Sequence, residues 1–198
     1  MRELKALGRG DAEAMAAQAA ARFHDLAAER GVIDVAYAVV PSPVGDLIVA
    51  TTRRGLVRIG FPTEAPQDVV EELSVLLSPR VLEAPAKLDE VRRELDEYFE
   101  GRRTTFEVPV DMSLTRGFTR KVLQATARIP FGSVSTYRDV ARKAGNDRAY
   151  RAAGNALGSN PIPIVVPCHR VLHSGGGLGG YGGGLDVKRF LLDLEHAL

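Results

Sequence analysis

The segment 160–172 constrains the fold more than any other stretch, because three of its residues are prolines. Proline fixes φ, lacks a backbone N–H and disfavours helix at the residue before it. We therefore predict that this segment is an extended and stiff strand. It delivers Cys168, His169 and Arg170 in succession, so a stiff approach would hold these side chains in fixed positions.

Cys168 and His169 form a candidate pair of nucleophile and base. A thiolate is the reactive form of cysteine, and a nearby imidazole is the usual acceptor of its proton. Consecutive side chains of an extended strand point to opposite faces, so the two can cooperate only if the chain turns there or water bridges them. The alternative is that Cys168 is a buried structural thiol.

A helix predicted over residues 185–196 offers a third member of this group. Lys188, Leu192 and Glu195 follow one another at helical spacing. Glu195 is thereby in a position to face the site and orient His169, as the third group of a catalytic triad does. The alternative is that Glu195 lies on the surface, as most glutamates do.

The N-terminal half predicts a small antiparallel sheet with helices. Short β-rich runs between residues 35 and 61 are separated by turn residues, which is typical of a meander. Residue periodicity further predicts helices over 11–30, 66–78 and 87–100 and a short strand over 105–110. We predict three parts: a helical extension at 1–32, an α/β domain at 33–112 and a second domain at 113–198.

The C-terminal half is predicted to be mainly helical, so the fold is of the α/β class in its α+β form. A helix over residues 116–128 precedes two short helices with the spacing of a helix-turn-helix. Thr136 and Asp139 suit a cap for the first short helix. Asp147 suits a cap for the second, which runs to Leu157.

The second short helix presents Arg148, Arg151 and Asn155 on one polar face. Residues 113–170 carry ten basic and two acidic side chains, whereas the whole chain has a net charge of +1. This local excess is typical of a surface that binds nucleic acid. The alternative is an ordinary helical hairpin with a solvated arginine face.

A glycine-rich loop, with eight glycines among residues 175–184, separates the cysteine segment from the C-terminal helix. Its formal match to the dinucleotide-binding pattern follows from composition, and no βαβ unit supports it. We interpret it as a loop whose backbone closely approaches a flat ligand, with the Tyr181 side chain lining the pocket. A flexible linker is the alternative.

Composition excludes several classes of protein. One cysteine cannot form an intrachain disulfide, and one cysteine with four histidines makes a zinc site hard to assemble, so we predict no metal and no cofactor. No apolar run is long enough to span a membrane, and the N-terminus lacks a signal core. We expect a cytoplasmic protein with no membrane partner.

Together these motifs resemble the O6-alkylguanine-DNA alkyltransferase family, also called methylated-DNA–protein-cysteine methyltransferases. The similarity runs from about residue 130 to 195 and includes Tyr137, Arg151-Ala-Ala-Gly-Asn155, Asn160-Pro-Ile-Pro163, Pro167-Cys-His-Arg-Val171 and the segment 183–192. The N-terminal half fits only the family's general pattern of a small sheet with helices. The resemblance implies DNA repair by direct reversal, in which a methyl or larger alkyl group moves from O6-alkylguanine to the protein and inactivates it. O4-alkylthymine is a second substrate to test.

The resemblance also implies roles at the reacting site. Cys168 would accept the alkyl group, His169 would be its water-mediated base, and Glu195 would hold the histidine. Tyr137 would crowd the adjacent phosphate and protonate the leaving guanine with help from Lys188.

Further residues would bind DNA or support the pocket. Arg151 would enter the base stack where the target guanine is extruded, and its helix would lie in the minor groove. Extrusion is needed because the alkyl carbon on O6 of a stacked guanine cannot be attacked in line. The other expected DNA contacts are Arg148, Asn155, Tyr150 and Tyr137, and the expected pocket residues are Asn160, Tyr181, Gly182 and Arg170.

Two positions depart from the family pattern. Tyr150 stands where relatives usually have a small residue, and Gly182 stands where many have serine. Relatives that bind zinc near the N-terminus use cysteines that this chain lacks. We expect a monomer on duplex DNA, with cooperative assembly as the alternative. Two other functions stay open: a lesion sensor that flips damaged bases without chemistry, and a cysteine hydrolase unrelated to DNA.

Overall fold

The structure, a computed structural model, describes residues 33–198 and, ahead of them, Met15. The helix predicted over residues 11–30 lies outside the described residues, apart from Met15. Within the described part of the chain, no helix is both long enough and apolar enough to cross a membrane.

A four-stranded sheet forms the centre of the N-terminal half. Strands β1 (Val35–Val40), β2 (Leu47–Thr52) and β3 (Gly55–Gly60) pair antiparallel in sequence order, which confirms the predicted meander. A fourth strand, β4 (Val81–Glu83), lies parallel to β1 and gives the order β3-β2-β1-β4. The sequence does not predict β4, because three residues are too few for a period-two pattern.

Alternate residues of β2 face opposite sides of the sheet, as the side-chain period of a strand requires. Leu47 and Val49 belong to the main core, whereas Ile48 and Ala50 belong to a smaller core. That smaller core lies under helix α1 (Pro66–Leu76). Both faces of the sheet are covered, which explains why four consecutive residues are buried.

The helices predicted over residues 66–78 and 87–100 are confirmed. Helix α1 corresponds to the one expected over residues 66–78. Helix α2 (Asp89–Phe99), preceded by the 3-10 turn Pro85–Leu88, corresponds to the one expected over residues 87–100.

The strand predicted over residues 105–110 is wrong, because only Val110 forms a bridge, which is isolated. The buried carboxylate of Glu94 explains the difference. Its Oε2 accepts the backbone N–H groups of Glu107 and Val108, at 2.9 and 3.3 Å, which a strand would have used in its ladder.

The C-terminal half is mainly helical, as predicted, and the α+β class is confirmed. Its elements are α3 (Gly117–Thr126), β5 (Ser135–Thr136), α4 (Tyr137–Lys143), α5 (Tyr150–Gly158), β6 (Val171–Leu172) and α6 (Leu185–Leu194). Helices α4 and α5 form the helix-turn-helix pair and pack on α3. The two short parallel strands, β5 and β6, join the pair to the segment that carries the cysteine.

Capping explains where the two helices begin. Thr136 Oγ1 accepts the backbone N–H of Asp139 at 3.1 Å and donates to its carboxylate at 2.7 Å, as predicted. The predicted cap at Asp147 is wrong. Asn146 instead accepts the backbone N–H of Arg148 at 3.2 Å, which prolongs the turn, so α5 begins later and Arg148 precedes it.

The prediction that residues 160–172 form an extended strand is also wrong. Residues 161–167 form a succession of turns, Cys168–Arg170 form a 3-10 turn, and only β6 beyond them is a strand. The side chain of Asn160 is the reason, because it donates to the carbonyl of Val166 at 2.8 Å and accepts the N–H of Ile162 at 3.1 Å. The prolines exclude helix, as expected, but they are compatible with turns.

One apolar core extends through both halves of the chain. Leu95 of α2, Val122 of α3 and Leu191 of α6 belong to the same cluster of buried side chains. The backbone N–H of Ile59 in β3 also donates to the carbonyl of Pro161, at 2.8 Å. The sheet, the turn segment and the C-terminal helix therefore meet at one place, and the cysteine lies there.

Candidate active site

Cys168 begins the 3-10 turn and is 7% exposed. The amide Nδ2 of Asn160 donates to its Sγ at 3.1 Å. Burial raises the pKa of the thiol, whereas the hydrogen bond from Asn160 and the charge of Lys188 act to lower it. The site thus favours the thiol at rest and holds groups that stabilise a thiolate when one forms.

His169 is fully buried, and its Nε2 lies 2.9 Å from Oε1 of Glu195. Burial lowers the pKa of the imidazole, although the Glu195 carboxylate acts in the opposite direction. The ring is therefore neutral near pH 7, and Nε2 carries the proton because a carboxylate can only accept. Nδ1 is left as a proton acceptor, and it has no hydrogen-bond partner among residues 33–198.

The 3-10 turn removes the difficulty that an extended strand would create. Such a helix has three residues per turn, so neighbouring side chains are not forced to opposite faces. Cys168 and His169 are therefore free to serve one site.

Glu195 lies at the C-terminal end of α6 and is 1% exposed. It accepts hydrogen bonds from His169, from Arg170 through Nε at 2.7 Å and Nη2 at 2.9 Å, and from the Tyr98 hydroxyl at 2.6 Å. Burial alone would raise its pKa, but these donors hold it at about 2. Glu195 is ionised, and the alternative of a surface glutamate is wrong.

Arg170 supplies the charge that balances Glu195. Its guanidinium is buried with the carboxylate, donates also to the carbonyl of Ile129, and lies 5.9 Å from the ring centre of Phe131. A buried carboxylate is costly without a paired and hydrogen-bonded cation. Arg170 therefore makes the burial of Glu195 possible.

Lys188 is a fully buried residue of α6. Its Nζ donates to the carbonyls of Val171, at 2.8 Å, and Leu178, which ties β6 to the glycine-rich loop. Burial lowers the pKa of Lys188 to about 8, while the nearby Cys168 acts to raise it. Lys188 thus anchors the loop and supplies positive charge near the sulfur.

Tyr137 begins α4, and its ring centre lies 5.1 Å from that of His173. Burial and the proximity of Cys168 raise the pKa of its hydroxyl, so the hydroxyl keeps its proton at neutral pH. Gly179 has φ +68° and passes this hydroxyl so closely that a Cβ would overlap it. The loop therefore needs a glycine here.

A cavity of about 800 Å³ opens above Cys168. Helices α4 and α5 and the glycine-rich loop form its walls. This volume is within the range of small-molecule sites and is enough for a purine. The lining residues are Tyr137, Arg138, Tyr150, Arg151, Gly154, Leu157, Gly158, Cys168, His173, Ser174, Gly180, Tyr181 and Gly182.

Tyr150 lies at this cavity between two arginines. Its ring centre is 5.5 Å from the guanidinium carbon of Arg151 and 5.9 Å from that of Arg138. An exposed cation–π contact contributes about 0.5–1 kcal/mol, so Tyr150 helps to order Arg151 beside the cavity. Arg148, Arg151 and Asn155 are all exposed. Arg138 is a site residue that the sequence reasoning missed, although its place on the first helix of the pair could have indicated it.

Tyr181 brings the N-terminal half into the site. Its ring packs edge-on against Phe61, with ring centres 5.4 Å apart, and against His169, at 6.3 Å. Gly183 passes Phe61 so closely that a Cβ would lie 2.9 Å from the ring. The sequence reasoning missed Phe61 and Tyr98, because no local pattern indicates which side chains of the first half reach the second.

Comparison with known sequences covers nearly all of the described chain. Residues 35–112 match the ribonuclease-like domain of 6-O-methylguanine DNA methyltransferase, and residues 117–197 match the DNA binding domain of the same family. The chain belongs to the 6-O-methylguanine DNA methyltransferase family.

Individual relatives agree with this assignment. The chain is 37% identical over 165 residues to the methylated-DNA–protein-cysteine methyltransferase of Methanosarcina barkeri, which covers 81% of this chain and 96% of the relative. It is 38% identical over 161 residues to the constitutive enzyme of that name from Bacillus subtilis, covering 81% and 94%. The crystal structure of Mycobacterium tuberculosis O6-methylguanine methyltransferase superimposes with a TM-score of 0.69 at 35% identity, covering 82% of this chain and 93% of that one. The M. tuberculosis protein in complex with DNA gives 0.70 at 34% identity, with the same coverage.

This member of the 6-O-methylguanine DNA methyltransferase family draws its site from both halves of the chain. The turn segment provides Cys168 and His169, α6 provides Lys188, Glu195 follows α6, and α2 provides Tyr98. Among the residues that the structure describes, no group of three or more histidine, cysteine, aspartate or glutamate side chains is placed to hold a metal ion.

Proposed function

We propose that the protein repairs DNA by moving an alkyl group from O6 of guanine to Sγ of Cys168 in a single turnover. The observation that carries this proposal is the position of the cysteine. It lies at a purine-sized cavity between a helix-turn-helix and a glycine-rich loop, in a chain of the 6-O-methylguanine DNA methyltransferase family. Relatives named methylated-DNA–protein-cysteine methyltransferases support the same activity.

The proposed reaction starts with the removal of the thiol proton. Glu195 holds the Nε2–H of His169, so Nδ1 is available to take that proton through a bridging water. Asn160 donates to Sγ, and Lys188 contributes positive charge, so both stabilise the thiolate as it forms.

Alkyl transfer then breaks one bond and forms another. Sγ of Cys168 attacks the alkyl carbon, the bond from that carbon to O6 breaks, and the guanine takes a proton as it leaves. We propose that the Tyr137 hydroxyl gives this proton and that Lys188 assists by its charge. Tyr137 then regains a proton through solvent while His169 releases the one it took, so in net terms the thiol proton ends on the guanine.

The product is a thioether, which is a stable end point. The chain has one cysteine, so no second thiol is present to receive the alkyl group and restore Cys168. Self-inactivation would follow from the stability of this thioether. Methyl is the simplest substrate group, and the proposal extends to larger alkyl groups and to O4-alkylthymine.

Recognition of duplex DNA requires that the target base leave the stack, because the cavity lies within the protein surface. We propose that α5 enters the minor groove and that Arg151 fills the space left by the guanine. Arg148, Asn155, Tyr137 and Tyr150 would contact the flanking strand. Tyr150 would also orient Arg151 through the cation–π contact described above.

The pocket itself would be shaped by residues that leave room for the base. Tyr181 provides a flat wall, and Gly182 adds no side chain, so hydrogen bonds to the guanine there would come from backbone groups. Asn160 fixes the turn below the cavity, and Arg170 keeps Glu195 in place.

We also propose the wider setting of this activity. Residues 33–112 and 113–198 would be two domains with a common core, and the protein would act as a monomer in the cytoplasm. A free thiol that must stay reduced supports that compartment. Cooperative assembly along DNA is the alternative to a monomer.

Mass spectrometry after reaction tests the proposal. Duplex DNA with labelled O6-methylguanine should leave one label per chain, on Cys168, and Cys168→Ala should receive none. Repair of more lesions than there are protein molecules would reveal a turnover enzyme instead. A wild-type protein that binds the lesion but stays unlabelled would reject the transfer.

A further inference from the structure

Tyr98 is a buried residue of the N-terminal half that reaches the catalytic carboxylate. Its side chain is fully buried, and its hydroxyl donates to Oε1 of Glu195 at 2.6 Å, across 97 positions of sequence. Its ring packs against the rings of Phe99, Phe106 and Phe131, at centre distances between 5.3 and 6.3 Å. The hydroxyl is therefore held at one point by rigid neighbours.

The hydrogen bonds of Glu195 are unevenly divided between its two oxygens. Oε1 accepts from the hydroxyl of Tyr98, from Nε2 of His169 and from Nη2 of Arg170, whereas Oε2 accepts from Nε of Arg170. Tyr98 and His169 thus share one acceptor atom. Each donor reduces the negative charge that the shared oxygen presents to the others. The hydrogen bond from Tyr98 therefore weakens the hydrogen bond from His169 to the same atom.

We propose that Tyr98 is a positioning residue, whose hydroxyl fixes Glu195 and limits how strongly that carboxylate holds a proton on His169. The proposal rests on the function proposed above, in which His169 is the base for Cys168. It gives the N-terminal half a part in the reaction, through a contact that no motif of the second half contains.

The expected sign follows from the charges around the relay. His169 is faced by Glu195, which favours its protonated form, and by Arg170 and Lys188, which oppose it. Glu195 is faced by His169, Arg170 and Tyr98, and the Tyr181 hydroxyl is also near it. Removing the Tyr98 hydroxyl leaves more of the carboxylate charge to His169. His169 is then protonated up to a higher pH, and above that pH a larger fraction of Cys168 is thiolate paired with imidazolium.

Alkylation of the cysteine by iodoacetamide measures this directly, because Cys168 is the one thiol of the chain. In Tyr98→Phe, we expect the acid limb of the rate against pH to move up by about 0.5–1 pH unit and the plateau rate above it to rise by about 3–10-fold. Superimposed profiles for the wild type and Tyr98→Phe would overturn the proposal. In a Glu195→Gln background the same substitution should produce no shift, and a shift that persisted there would also overturn it.

Two control variants separate positioning from packing. Tyr37→Phe removes a hydroxyl from β1, outside the site, and should leave the profile unchanged. Phe106→Leu loosens the packing around the Tyr98 ring but keeps its hydroxyl, so it should lower the thermal stability without moving the acid limb. A shift in Phe106→Leu as large as in Tyr98→Phe would assign the effect to packing and overturn the proposal.

The readout does not depend on DNA or on any alkylated base. A wild-type chain that failed to accept a methyl group from DNA would reject the proposed function while the iodoacetamide profiles still tested the relay. Normal repair with superimposed profiles would reject the role of Tyr98 alone.

Discussion

Glu195 should contribute strongly to the loss of stability in acid. Its pKa is held at about 2 in the folded protein against an ordinary 4.5, a difference of about 2.5 units. Each pH unit corresponds to about 1.4 kcal/mol, so the ionised group stabilises the fold by about 3.5 kcal/mol. Because the folded-state pKa is the lower one, this contribution is complete above about pH 4.5 and is lost as the pH falls toward 2.

Urea unfolding of the wild type and Glu195→Gln between pH 2 and 7 measures this contribution. At pH 7 the variant should be less stable by about 3–5 kcal/mol, because Arg170 is left buried without its counter-charge. The difference between the two proteins should shrink as the pH falls from about 4.5 to 2. Other carboxylates with lowered pKa values, such as Asp111 and Asp139, titrate in both proteins and cancel. A difference that stayed constant over this range would refute the reasoning.

Three further predictions concern the reaction. Arg151→Ala should slow repair of duplex DNA by about 30-fold but hardly affect reaction with free O6-benzylguanine. The control Arg128→Ala removes an equal exposed charge and should change neither rate much. Equal losses of rate on both substrates would contradict the role of Arg151. Asn160→Ala should slow alkylation of Cys168 at pH 7 by about tenfold and raise the pH at which alkylation begins, since a hydrogen bond to a charged group contributes about 1.5–3 kcal/mol. Stopped-flow rates measured against pH test this prediction, and an unchanged midpoint would contradict it. Alkylated protein should melt about 2–10 °C lower than unreacted protein, because carbon attached to the buried Sγ crowds its neighbours and weakens the hydrogen bond from Asn160. Calorimetry before and after reaction measures the difference, and equal melting temperatures would contradict the prediction.

The elements that repeat a local pattern could be predicted from sequence. The meander, helices α1 to α6 and the cap at Thr136 all depend on residues close in the chain, and the structure confirms them. The elements that depend on a distant or competing hydrogen bond could not be predicted. Glu94 removes the strand expected over residues 105–110, and Asn160 bends the segment that we predicted to be extended from its prolines.

The candidate site divides in the same way. Cys168, His169 and Arg170 are consecutive, so one sequence motif is enough to predict that they lie close together. Glu195 could be placed by helical spacing but its burial could not, because burial depends on Arg170 and Tyr98 arriving from elsewhere. Contacts between the two halves carry no local pattern, and for this reason they stay invisible until the chain is folded.

The apolar core that runs through both halves limits how the protein can be shortened. A fragment that began near residue 113 would retain the cysteine and the helix-turn-helix, but it would lose the buried side chains that the sheet and α2 contribute to the cluster containing Val122 and Leu191. Apolar side chains that are buried in the whole protein would be exposed to solvent, and such fragments would tend to aggregate. Recombinant versions intended for biochemistry should therefore begin ahead of β1.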